Sequence, residues 1–171
     1  MPRTWVLGAA AVLSVAIGLG AGFAQTTSPP GTLYVLGKGS TFSFGCFPPC
    51  LCPVFETDAI HGVFRLTKLP NTNGSPFTDY AVTDVLWWVK KLGEVVPVTG
   101  SGTYEQGGEF AVEQRLALDL QVGGDAVQHF DSGLVPGGGE FPVIDATISL
   151  HGGVCFDTEF HVRATPVGGC L

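Results

Sequence analysis

Three of the chain's five cysteines crowd into Cys46-Phe47-Pro48-Pro49-Cys50-Leu51-Cys52-Pro53, and the other two are Cys155 and Cys170. Thiolates in a Cys-x3-Cys-x-Cys array are soft ligands able to hold Cu(I) or Zn, with His151 as a further ligand candidate. The same sulfurs are able to form a redox pair, although no Cys-x-x-Cys of the thioredoxin type is present. In an oxidising compartment their expected product is a disulfide. The favoured reading is therefore a Pro-stiffened loop closed by disulfides, with a soft-metal site as the alternative. Five is odd, so at least one cysteine is expected to be free, capped or intermolecular. Geometry prunes the pairings. A strand from Cys155 to Ala164 spans about 30 Å, and the chain from there to Cys170 covers at most about 21 Å. The gap of about 9 Å exceeds the reach of roughly 7 Å between bridged Cα atoms. Cys155 and Cys170 are thus each expected to reach the Cys46/Cys50/Cys52 cluster and not each other.

Other chemistry is sparse. The four histidines are His61, His129, His151 and His161. His151 with Cys155 could begin a metal site, and Asp145 beside His161 has the composition of a catalytic dyad. Both are expected to be solvated cross-strand neighbours, each worth under about 1 kcal/mol. No Gly-x-Ser-x-Gly elbow, phosphate loop or His-Glu-x-x-His occurs. The expectation is a chain that is not an enzyme and carries no cofactor. Trp87 and Trp88 are adjacent, so on a strand they point to opposite faces. One enters the core; the other is exposed, covered by a loop or set in a ligand site, the covering loop being preferred. Trp87, Trp88, Phe64 and Tyr80 are accordingly the candidates for an apolar ligand or a protein partner.

The elements that must position these residues read as strands. Arg3, an uncharged apolar run over 5–22 and Gly22-Phe23-Ala24 before Gln25 form the three-part pattern of a cleavable signal over residues 1–24. The competing reading is a retained membrane anchor. Residues 25–31 form a flexible leader, and 32–171 one β domain. Cleavage takes the formal charge from −7 to −8. An acidic chain is repelled by nucleic acid and by an anionic membrane surface, so neither is an expected partner. With 25 glycines and only 13% charged residues, short strands and tight turns are favoured over helices. Strand-like runs fall at 32–36, 40–44, 60–69, 80–90, 95–104, 110–122, 126–130, 141–151 and 155–164.

Two hairpins can be set in register by matching apolar faces. A loop over Gly107 to Glu109 places Tyr104 opposite Val112, Val98 opposite Leu118, and Gln114 inward opposite Gly102. A loop over Gly152-Gly153-Val154 places His151 across from Cys155 and Asp145 across from His161, with Asp157 on the polar side. The fold class expected is all-β: an antiparallel meander of about seven to nine strands, closed as a barrel or packed as a sandwich.

Thr32-Leu33-Tyr34-Val35 with Ser40-Thr41-Phe42-Ser43-Phe44, then His61-Gly62-Val63-Phe64, and finally Thr147-Ile148-Ser149-Leu150-His151-Gly152 resemble, in order, segments of the YceI-like exported lipid-binding barrels. The segments cover under a sixth of the chain. The resemblance implies a carrier of an apolar small molecule. The Cys/Pro cluster and the short stretch from Phe130 to Phe141 depart from that pattern, and no ligand residue is carried over. Three functions follow: an exported, disulfide-stapled β domain acting by binding or structure; a barrel holding an apolar molecule; and soft-metal binding through Cys46, Cys50 and Cys52. The barrel reading requires an enclosed cavity behind Trp87 or Trp88, Phe64 and Leu118. Each places the protein outside the cytoplasm, secreted or in the periplasm or cell envelope.

Overall fold

The computed structural model describes residues 31–71, 74–137 and 141–168. The expected signal, residues 25–30 of the leader, and Cys170 lie outside the described residues. Among the described residues there is no helix. Eleven strands form one antiparallel sheet: β1 (Thr32–Leu36), β2 (Thr41–Phe47), β3 (Phe55–Ala59), β4 (His61–Lys68), β5 (Phe77–Lys91), β6 (Glu94–Gly107), β7 (Glu113–Val122), β8 (Gln128–Asp131), β9 (Val135–Pro136), β10 (Ile144–Ser149) and β11 (Cys155–Pro166). The two strands beyond those read from the sequence are β3, hidden behind the cysteines, and the two-residue β9.

Neighbours run in the order β1-β4-β5-β6-β7-β8-β10-β11-β2-β3, β9 lies beside β7, and β1 also pairs with β11. β11 has two neighbours on one of its edges. Its first half, Cys155 to His161, pairs with β2, and its last residues, Ala164 to Pro166, pair with β1. Its span of roughly 36 Å, at 3.3 Å per residue, separates a cysteine end of the sheet from an opposite end.

Burial explains why these strands hold. One face of each long strand is dry: Leu116, Leu118, Leu120 and Val122 on β7, and Phe160, Val162 and Ala164 on β11 are all buried. Rings fill the middle. Trp87 lies 5.7 Å from Phe160, and Phe160 lies 5.2 Å from both Phe42 and Phe130. Each such side chain contributes about 1.5–3 kcal/mol by leaving water. On β6, Gly102 lets β7 approach closely. A Cβ there would overlap the Ala117 carbonyl and lie 2.8 Å from Leu118 Cα, so Ala is excluded.

β5 resolves a puzzle in its own sequence. Tyr80, Val82, Val85, Trp87 and Val89 do not share one parity. Asp84, at φ 53°, opens a bulge between Val82 and Val85. The extra residue returns the apolar set to one face, and Val82, Val85, Trp87 and Val89 are all buried.

Both expected hairpin registers are corrected. Tyr104 pairs with Leu116 and Val98 with Val122, four residues from the expected alignment. Gln114 pairs with Gln106, and Phe110 is wholly exposed in the intervening loop. In the second hairpin Asp145 pairs with Arg163 and Thr147 with His161, two residues from the expected alignment. Both shifts are even, and an even shift leaves every side chain on the same face. Face matching therefore fixes parity and not register. Asp157 is also corrected: it is buried, not on the polar side. Its carboxylate accepts hydrogen bonds from the backbone N–H groups of His151 (3.0 Å), Gly153 (2.6 Å) and Thr158 (2.6 Å), organising the turn.

Candidate ligand site

The cysteines staple one end. Cys46, near the end of β2, bonds to Cys52 in the loop that follows, and Cys50 bonds to Cys155 across a separation of 105 residues. The second bridge joins the loop between β2 and β3 to the start of β11, as the reach argument requires of Cys155. Thiolates of Cys46, Cys50 and Cys52 are not available to a metal while these bonds stand. His151 instead places Nδ1 3.5 Å from the Asp157 carboxylate. Two disulfides fit an oxidising compartment, consistent with export.

The tryptophans part as adjacency requires. Trp87 is 1% exposed and Trp88 47%. Trp87 packs edge-on to Phe64 at 6.3 Å, and its Nε1–H has no hydrogen-bond partner among the described residues. The space behind Trp87 is thus occupied by Phe64 and Phe160. Trp88 stands open beside Leu86, which is 45% exposed, without the covering loop that was preferred.

Tyr80 leads to the site. The chain has three tyrosines, and all meet at the end of the sheet away from the cysteines. Tyr80 pairs with Tyr104 in the β5–β6 ladder, their rings 5.9 Å apart. Phe141 lies 5.6 Å from Tyr80 and stacks on Tyr104 at 6.5 Å. Tyr34 stacks on Phe64 at 5.4 Å. Tyr104 Oη donates to Gln114 Oε1 (3.2 Å), and Gln114 Nε2 donates to the Asp145 carbonyl (2.6 Å). Tyr34 and Tyr80 hydroxyls have no hydrogen-bond partner among the described residues. Both line an open cleft of ≈420 Å³ whose walls include Phe141, Pro142 and Leu66, with Lys68 at its edge. Burial pushes the Tyr34 phenol up to about 12, with Tyr80 adding to the effect. Burial also raises Tyr80 and Tyr104. All three phenols are therefore neutral donors near pH 7.

No family model, curated protein or solved structure matches the chain. The likeness to YceI-like barrels therefore rests on the short segments quoted above. The chemistry of the site stands on its own residues.

A second cleft of ≈340 Å³ opens at the cysteine end, between Phe44 and Phe156. Its cation is already engaged: Lys91 Nζ is 2.6 Å from Asp125 and lies over the Phe44 ring. The His161–Asp145 pair meets diagonally at 3.4 Å, and Thr147 Oγ1 is 3.0 Å from His161 Nδ1. This row of hydroxyl, imidazole and carboxylate lies on the outer face of a ladder, where strand N–H groups run in the plane of the sheet.

Tyr34, Tyr104, Phe141 and Lys68 were not singled out by sequence. A usable signal existed: Tyr34 lies in the short β1, Tyr80 near the start of β5, and Tyr104 near the end of the antiparallel β6. That spacing brings all three to one end.

Proposed function

We propose that the chain is exported, closes its sheet as a barrel, and works by binding a small molecule at the tyrosine end, without catalysis. The signal pattern over residues 1–24 and the paired cysteines support export. The double pairing of β1, to β4 on one side and β11 on the other, supports closure. One observation carries the binding reading: the Tyr34 and Tyr80 hydroxyls have no partner among the described residues, and both residues line an open cleft. A phenol that faces a cleft without a protein acceptor can donate to a bound ligand, for a net gain of about 0.5–1.5 kcal/mol.

Intact mass of the protein recovered outside the cytoplasm tests export, with Gln25 expected as the first residue. A ligand-observed NMR screen of ring-containing fragments tests the site. Binding is expected to weaken in Tyr80→Ala and Phe141→Ala and to persist in Phe156→Ala, which alters the other cleft. A screen whose hits ignore all three substitutions would overturn the reading. A second reading, a protein partner on the outer face, is favoured by the adjacent exposure of Trp88 and Leu86.

A further inference from the structure

The ligand's chemistry follows from what surrounds the cleft, and this step rests on the binding reading above. The floor of the site does not continue inward. Phe64 and Tyr34 stack across its inner side, and behind them Trp87 and Phe160 occupy the core. A long alkyl chain needs a tunnel, and here rings fill that space. Two of the walls are ring faces: Tyr80 and Phe141 meet at an interplanar angle of 34°, and Phe141 is backed by Tyr104 at 12°. Planar walls favour a flat, compact partner, because ring faces gain most from offset stacking.

The polar groups ask for an acceptor. Tyr34 and Tyr80 each present a phenol O–H with no protein acceptor among the described residues. At the edge, Lys68 makes no ion pair among the described residues. The site thus offers two neutral donors and one cation, and no carboxylate lines it among the described residues. The cysteine-end cleft differs on this point, since its lysine is neutralised by Asp125. We infer that the tyrosine-end cleft binds a small aromatic carboxylate, its ring against Tyr80 and Phe141 and its carboxylate received by the Tyr34 hydroxyl and the Lys68 ammonium.

Calorimetric titration of the disulfide-intact chain with 2-naphthoate, 2-naphthamide and decanoate tests this. The acid is expected to bind about tenfold to a hundredfold more tightly than the amide, the scale of one charge-assisted hydrogen bond. Lys68→Met is expected to erase that preference. Tyr34→Phe is expected to lose about threefold to tenfold in acid affinity with an unchanged melting midpoint, because the hydroxyl has no protein partner to lose. A fall in stability without a fall in affinity would mark Tyr34 as merely structural and overturn the inference. Equal binding of acid and amide would overturn the carboxylate while leaving the binding reading intact. Decanoate binding as tightly as 2-naphthoate would overturn the aromatic class. Failure of all three probes, together with a fragment screen indifferent to Tyr80 and Phe141, would remove the binding reading itself.

Discussion

Gln114 puts an amide where the alternation of β7 otherwise places Leu116, Leu118 and Leu120. It is 1% exposed, and it links three strands: Tyr104 of β6, and the carbonyls of Pro136 on β9 and Asp145 on β10. Gln114→Leu would keep the volume but strand those partners in the core, and is expected to cost about 2 kcal/mol by urea unfolding. Tyr34 gives a second prediction at this scale. Its folded pKa, about 12, lies above the ordinary value of 10. An acid whose folded pKa is raised contributes stability that is fully present below pH 10 and is lost as the pH rises through 12. Unfolding midpoints are therefore expected to fall across that alkaline window, and to fall less in Tyr34→Phe. The inward direction of Gln114 was legible in the parity of its strand. Its partners were not, because they come from β9 and β10, which no local pattern joins to β7. Tyr80 was legible through its apolar strand, whereas Tyr34 and Phe141 needed the tertiary arrangement that brings separate strand ends together.

At the scale of elements, the two disulfides do different work. Cys46–Cys52 closes a short loop, and Cys50–Cys155 closes a long one. In the chain-entropy model these are worth about 2 and about 4–5 kcal/mol respectively. The double variant Cys50→Ser/Cys155→Ser is thus expected to lower the guanidinium midpoint more than Cys46→Ser/Cys52→Ser. Equal losses would show that native-state contacts, and not loop closure, set the contribution. The reach of Cys155 was legible because strand rise is nearly constant. The hairpin registers were less legible, since apolar alternation repeats every two residues and accepts any even shift. Asp157 shows what decided one of them. A buried carboxylate holding three backbone N–H groups widens the turn, and its sequence neighbours alone place it on the outer face. The bulge at Asp84 escaped the same logic, as a single residue at positive φ changes which of its neighbours face inward.

For the molecule as a whole, the sheet is uneven along its strand order. β8 and β10 share a single residue pair, Asp131 with Ser149, while β5 and β6 pair along most of their length. Asp131 at that junction is held by Arg115, whose hydrogen bonds push its carboxyl below the usual carboxylate range, and it also accepts from Gly133 N (2.8 Å). A carboxylate with a lowered folded pKa contributes stability above its ordinary range and loses it as the pH falls through the lowered value. Amides of β8 and β10 are therefore expected to exchange hydrogen faster than those of β5 and β6, and the difference is expected to widen in acid. The all-β, antiparallel character of this sheet was legible from glycine content and alternation, but the weak junction was not, because it depends on how short β8 is. The two neighbouring indoles carry a last consequence. Trp87 sits among rings with its N–H ungratified among the described residues, whereas Trp88 meets solvent, so the pair is expected to emit in two colours: a blue component out of reach of iodide and a red one that iodide quenches. One excitation then reads the interior and the outer face separately, and a partner settling over Trp88 would dim the second channel's quenching while leaving the first untouched.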